Sequence, residues 1–194
     1  MNEYSAMMYV FAGNNGSGKS TIRNLIVDRL GISVNIDPDS LARGINSDHP
    51  DRRQVSAGKE AIKLARECIH HKRDFSIETT LSGGNAIRLI RDAKANGFEV
   101  TMFYVGLNDV RLNIERVAAR VQNGGHDIPT EDIIRRQTTS MQNLLTHIHL
   151  IDHLIVIDNS GASGEIVLQA EQSALKYRAE SLPMWVHKIK DQLN

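Results

Sequence analysis

Short apolar runs alternate along the chain with longer stretches in which apolar residues recur every three or four positions. Runs of strand length occupy residues 7–12, 32–36, 75–78, 99–105 and 154–157. Helical spacing fills the intervals at about 19–30, 38–44, 53–73, 84–96, 109–122 and 130–149. In the first of these, Ile22, Leu25, Ile26 and Leu30 fall on one side of a helix. Strands alternating with helices predict right-handed crossovers, hence an α/β fold with a parallel five-stranded sheet covered by helices on both faces. Ligands of such sheets collect at the carboxyl ends of the strands, which is where site residues should lie. Beyond residue 164 the pattern divides. Ile166, Leu168 and Ala170 alternate, as do Leu175 and Tyr177, which suits a small C-terminal hairpin, although a helix can be drawn through the same stretch. Pro183 followed by residues 184–189 reads as a last short helix with proline in its first turn.

Between the first strand and first helix lies Gly13-Asn14-Asn15-Gly16-Ser17-Gly18-Lys19-Ser20-Thr21, which fits G-x-x-x-x-G-K-[ST]. Strand, glycine loop and helix form the P-loop arrangement that grips a nucleoside triphosphate. Glycines let backbone N–H groups wrap an anion, and the new helix turns its positive end on the phosphates. Lys19 is expected on the β- and γ-phosphates and the Ser20 hydroxyl on Mg²⁺, with ATP and Mg²⁺ as the cofactors. The glycine order differs from the dinucleotide fingerprint G-x-G-x-x-G, which argues against a nicotinamide cofactor.

Polar residues follow the other strands. Asp37-Pro38-Asp39 can cap a helix, and it can also place a carboxylate near the transferred phosphate as a base or hold Mg²⁺ through water. Glu78-Thr79-Thr80-Leu81-Ser82 ends the third strand. Glu78, with Thr80 and its neighbouring hydroxyls, suits a polyhydroxylated substrate or the outer shell of a metal; the bland alternative is a solvated acid with Ser82 as a helix cap. Arg116 and Arg120 share a helix face and lead into a loop with the pair Gly124-Gly125, after which come Arg135 and Arg136. Helical ion pairs Glu131–Arg135 and Asp132–Arg136 account for the latter two. The rival reading is a lid over about 120–136 that delivers arginine to the transferring group. His147, His149, Asp152 and His153 straddle an element boundary and read as structural. Asp158-Asn159-Ser160 forms an Asx turn, and its position after the last parallel strand places Asn159 beside the nucleotide.

The chain of 194 residues is of single-domain size. Its 23 basic and 23 acidic residues cancel, so no overall field attracts nucleic acid or an anionic membrane. The lone cysteine, Cys68, cannot form an internal disulfide, which suits a reducing cytosol. No apolar run reaches membrane-spanning length and the amino-terminal run lacks a basic leader, so a cytoplasmic protein is expected.

The segments GNNGSGKST at 13–21, NIDPD at 35–39, FSIETTLSGG at 75–84, RVQNGGHDIP at 120–129, IIRR at 133–136 and IDNSG at 157–161 together resemble the zeta toxin family. The resemblance covers most of the chain. It implies a P-loop kinase that uses ATP and Mg²⁺ to phosphorylate a hydroxyl of a small acceptor; the well-known members act on the amino-sugar of UDP-N-acetylglucosamine and are held off by an antitoxin. It implies that Lys19 and Ser20 bind triphosphate and Mg²⁺, that Asp39 is the base and that Glu78 orients the acceptor. By the same resemblance Arg120 and Arg136 stabilise the moving phosphoryl group. Two rival functions use the same loop: a nucleotide-hydrolysing switch that acts on a partner protein, and a polynucleotide end kinase, which the neutral charge disfavours.

Overall fold

The computed structural model describes residues 5–44 and 50–194. Its strands are β1 (Met7–Ala12), β2 (Asn35–Ile36), β3 (Phe75–Thr79), β4 (Glu99–Gly106), β5 (His153–Asp158), β6 (Glu165–Glu171) and β7 (Ala174–Arg178). The helices are α1 (Lys19–Leu30), α2 (Pro38–Gly44), α3 (Pro50–His70), α4 (Gly84–Ala95), α5 (Val110–Gln122), α6 (Thr130–His147) and α7 (Met184–Lys190). All strands join one sheet in the order β2-β3-β1-β4-β5-β6-β7. The first five in that row are parallel, whereas β6 and β7 add antiparallel. The five-stranded parallel expectation therefore becomes a seven-stranded mixed sheet, extended by the C-terminal hairpin.

β1 shows why its alternation matters. Met8, Val10 and Ala12 enter the larger core with Phe75, Ile77, Val100, Met102 and side chains of α3, α4, α6 and α7. On the opposite face Phe11 stacks on Phe103, with ring centroids 5.0 Å apart, and packs with Val27 and Ile32 under α1. Both faces of this central strand are thus covered, as parallel strands require. Two boundaries moved. The strand expected at 32–36 narrows to Asn35–Ile36, and the helix expected at 130–149 ends at His147 before a 3₁₀ turn over Ile148–Leu150. The apolar stripe expected for α1 is not its buried face either, because Leu25 and Leu30 are exposed and Val27 is buried. α1 touches the sheet over only a narrow strip, so its spacing carries less packing than it suggests.

α5 and α6 share a smaller cluster in which Val117, Ile128 and Ile133 pack with Val110, Ile114 and Val121. Farther along α6, Leu144 joins the main core, and the buried Tyr104 and Ser140 hydroxyls lie 3.0 Å apart. Cys68 is a free, buried thiol on α3. No helix among the described residues is long and apolar enough to cross a membrane.

α7 closes the C-terminal end of the sheet. Trp185, the sole tryptophan, lies against Tyr104 and donates its indole N–H to Asp158 at 3.3 Å. A Cβ on Gly106 would overlap its ring. Trp185→Ala is expected to lower stability by about 2–3 kcal/mol for a large, half-buried side chain. Gly106→Ala should cost about 1–3 kcal/mol by overpacking. If the ring is the obstacle, most of the Gly106→Ala cost disappears in the Trp185→Ala background, which urea unfolding of the four proteins measures directly.

Candidate active site

The loop between β1 and α1 is closely backed by polar side chains. Gly16 and Gly18 take left-handed backbone, with φ of 75° and 92°. A Cβ on Gly16 would lie 2.5 Å from the Asn113 carbonyl oxygen, and one on Gly18 would strike the Asn159 side chain. Asn113 donates to the Asn15 carbonyl at 2.7 Å and Asn159 to the Ser17 carbonyl at 2.8 Å. Asn14 donates to the Ile133 carbonyl and to Gln137 Oε1, both at 3.0 Å. Among the described residues, no side chain caps the N-terminus of α1 and the buried Ser17 hydroxyl has no partner. Unclaimed donors at a helix start, wrapped by a glycine-rich turn, form a cradle that fits phosphate oxygens.

The charges around this cradle are arranged in layers. Lys19 is buried, and desolvation pushes its ammonium pKa down from the ordinary lysine value; Glu78, Asp39 and Asp37 oppose that shift while Arg120 adds to it. Its Nζ donates to the Asn14 carbonyl at 3.5 Å and lies 3.8 Å from Glu78 Oε1. The ammonium has therefore lost much of its water without gaining a close anion. Glu78, 7% exposed at the end of β3, accepts the Ser20 hydroxyl proton on Oε1 at 2.7 Å. Its Oε2 lies 3.0 Å from Arg23 Nη1, which also lies 3.1 Å from Asp37 Oδ2.

Asp37 caps α2, accepting from the Asp39 backbone N–H at 3.0 Å and from the Ser40 hydroxyl at 2.8 Å. Burial raises the Asp37 pKa, but the Ser40 and Arg23 hydrogen bonds outweigh it and hold the carboxyl below the usual range. The carboxylate against the Ser20 hydroxyl is thus Glu78, while Asp37 spends its oxygens on α2 and Arg23. Ser20, Glu78 and the cradle match the hard oxygen donors that Mg²⁺ takes in phosphate sites. Asp39 is exposed in the first turn of α2, close enough for its charge to act on Lys19.

The expected site residues converge on the carboxyl ends of β1, β2, β3 and β5. Arg120 donates to the His126 carbonyl at 3.0 Å and so braces the loop between α5 and α6. Arg136 reaches the loop itself, donating to Asn15 Oδ1 at 3.0 Å. Arg116 donates to the Asn159 carbonyl at 2.9 Å, tying α5 to the turn after β5. Thr80 pairs with Ser82 at 2.8 Å just past Glu78. The bland alternative for this segment fails on both counts: Glu78 is buried, and no side chain among the described residues caps α4. Arg135 pairs with Asp132 at 2.7 Å, three residues away, where Glu131 was expected. Asp152 is structural, gripping Lys94 at 2.6 Å, and no cluster of three His, Cys, Asp or Glu among the described residues is set for a metal.

Three contributors escaped the sequence reading. Arg23 lies one turn after Ser20 on the same helix face, a usable signal. Asn113 interrupts the apolar spacing of Val110, Ile114 and Val117, which a buried polar partner explains. Gln137 carries no local signal, because its partner is more than a hundred residues away. Lys19→Met is expected to abolish nucleotide binding yet raise the melting temperature of the nucleotide-free protein, since it removes a desolvated charge; functional-site relief of this kind is commonly worth about 0.5–2 kcal/mol. Calorimetry with and without nucleotide checks both halves.

A family model described as zeta toxin matches residues 3–167. A protein of Haemophilus influenzae with no assigned activity is 42% identical over 125 residues, covering 64% of this chain and 87% of its own. The structure is similar to one from the PezAT chromosomal toxin–antitoxin system of Streptococcus pneumoniae, at a TM-score of 0.65 and 15% identity, covering all of this chain and 80% of that one. It is also similar to the AvrRxo1-ORF1:-ORF2 complex with ATP, at a TM-score of 0.68 and 14% identity, covering 89% of this chain and 60% of that one. Because the matching family model spans residues 3–167, most of the chain, the chain belongs to the zeta toxin family.

Proposed function

We propose that the protein is an ATP- and Mg²⁺-dependent phosphotransferase that acts on a hydroxyl of a small molecule, with a nucleotide sugar such as UDP-N-acetylglucosamine as the family precedent. The observation that carries this reading is Lys19, buried at the mouth of the uncapped α1 N-terminus, with its one ion pair to Glu78 a loose 3.8 Å. The phosphates of a nucleoside triphosphate would give it a closer anionic partner. The ATP present in the AvrRxo1 complex and the family match point the same way.

In this reading the loop amides and Lys19 hold the phosphates, and Ser20 with Glu78 holds the cation. When bound, Mg²⁺ neutralises charge on the phosphate oxygens. Arg23 keeps Glu78 and Asp37 at fixed separation, so the carboxylates do not need to reorganise during transfer. Asp39, exposed on the site side of α2, accepts the proton of the acceptor hydroxyl as its oxygen attacks the terminal phosphoryl group and the nucleoside diphosphate leaves. Arg136, anchored on Asn15, and Arg120, braced on His126, add positive charge from the lid. The turn holding Asn159 borders the nucleotide, and Thr80 lies on the acceptor side beyond Glu78. A protein antitoxin is the proposed partner, by analogy with the PezAT system.

Incubation of the protein with ATP, Mg²⁺ and a metabolite extract should yield a species heavier by one phosphate in mass spectra. Asp39→Asn should reduce its formation by about 10²–10⁴-fold, the usual contribution of a general base, while ATP still binds. Near-native turnover by Asp39→Asn removes the base assignment. Steady ATP hydrolysis with no phosphorylated metabolite replaces the kinase with a hydrolytic switch.

A further inference from the structure

A cavity of about 110 Å³ lies at the ends of β2 and β3, where Glu78 and Thr79 form one side of it. Pro38, the neighbour of Asp39, is another wall, so the cavity borders the candidate active site. Most of the remainder is apolar: Ile36, Ala61, Ile62, Ile77, Ala86 and Leu89 enclose it, and Asn85 is the one further polar side chain among the described residues. Apart from Ile62, which packs against its edge, these six are buried members of the main core. Protein interiors are close-packed, and wall atoms that face a void lose the contacts a filled core gives them. The void is thus an unfavourable feature of the core.

Gly58 lines the same cavity. It sits within α3, a helix of 21 residues, and is the one glycine in a helix interior among the described residues. Glycine there is less favourable than alanine, because it surrenders more backbone entropy on folding. Packing does not require it. A Cβ at Gly58 meets no heavy atom within 4 Å outside its own helix, and its φ is not left-handed. Gly58 stands one turn before Ala61 and Ile62 on the same helix face, so a longer side chain there would project over the cavity. An unfilled void and an unforced glycine therefore coincide, and they do so beside Glu78.

We propose that this cavity is a subsite for a side group of the acceptor and that Gly58 keeps it open: the acceptor is an alcohol bearing a compact apolar group close to its hydroxyl. The inference rests on the phosphotransferase reading and names the acceptor class. An apolar cavity of about 150 Å³ admits benzene, so one of about 110 Å³ takes about four or five non-hydrogen atoms, the size of a branched alkyl group. A hydroxyl or amide set among Ile36, Ala61 and Ile77 would lose its water and find no partner. That disfavours a polyol or an acetamido group at this position, so the nucleotide-sugar precedent and this subsite lead to different acceptors. Thr80 and Ser82, the hydroxyls that suited a polyhydroxylated substrate, pair with one another at 2.8 Å.

The test uses the full chain with isotopically labelled isoleucine and leucine methyl groups, followed by NMR as 2-methylpropan-1-ol is added. The methyl signals of Ile36, Ile62, Ile77 and Leu89 should shift and saturate, whereas glycerol and N-methylacetamide at equal concentration should leave them in place. Gly58→Leu should weaken the alcohol about tenfold or more by filling the cavity, and Gly58→Ala should weaken it less. Gly58→Ala should also raise the melting temperature by about 2–4 °C, since the glycine serves the ligand and not the fold. A lower melting temperature for Gly58→Ala makes the glycine structural and overturns its role. Absence of a saturable shift, an equal response to glycerol, or alcohol binding undiminished in Gly58→Leu overturns the subsite. In turnover, Gly58→Leu should raise the acceptor KM about tenfold with kcat little changed, the pattern of lost uniform binding. Efficient transfer to a polyol or to UDP-N-acetylglucosamine, with a KM that Gly58→Leu does not move, also overturns it. The titration needs no nucleotide. If the alcohol binds and no metabolite is phosphorylated, the kinase reading falls and takes the acceptor assignment with it; if a metabolite is phosphorylated and the alcohol does not bind, only the subsite falls.

Discussion

The carboxylate of Glu78 organises the site. It is buried at the end of a central strand and meets Ser20, Lys19 and Arg23, all on the first two turns of α1. Burying a carboxylate without such partners costs several kcal/mol. Once β3 is paired beside β1, the position of α1 relative to the sheet is largely dictated by the need to satisfy that charge. Arg23 extends the constraint to Asp37, and Asp37 to the first turn of α2. The ends of two strands, β2 and β3, and the starts of two helices are thereby tied through one chain of ionic contacts, and the glycine loop is suspended above it.

Much of the architecture was legible because period and chemistry agreed. The first strand and its glycine loop and the parallel central strands follow from alternation and motif; the C-terminal hairpin forms where Ile166, Leu168 and Ala170 alternate, although Ile166 and Tyr177 end exposed. The same rule misled at α1, where Leu25 and Leu30 are spaced for burial and lie on the surface. That helix buries Val27 and Ile26 against Phe11 and Phe103 and is tied at its start by polar contacts, of which spacing carries no record. At residues 32–36 the apolar letters were present but only Asn35 and Ile36 pair as a strand at the sheet's edge.

The site was legible where a residue type has few other uses in its setting. Lys19 and Ser20 come with their motif, and Asp37, Asp39 and Glu78 come with their strand ends. Of the supporting amides only Asn159 was named, from its place after the last parallel strand. Asn113 and Gln137, like Asn159, act on the loop from far along the chain, at 98, 123 and 142 residues respectively. Their partners are backbone carbonyls or another amide, so neither charge nor spacing announces them. The assignment of roles to Glu78 and Asp37 likewise needed geometry: both are acids at strand ends, and only the hydrogen bond to Ser20 separates them.

α6 belongs to two cores at once. Ile133 near its start packs in the small cluster with Val117 and Ile128, while Leu144 near its end is set in the main core. What joins its first turns to the glycine loop is polar, from Asn14, Asn15 and Gln137, and polar contacts exchange for water at small net cost compared with apolar burial. Mechanically the helix is a cantilever, clamped at its far end and resting at its near end on bonds that solvent can replace. Displacement at its tip would carry the guanidinium of Arg136 with it, so the stiffness of a single helix sets how far positive charge can travel over the phosphate cradle.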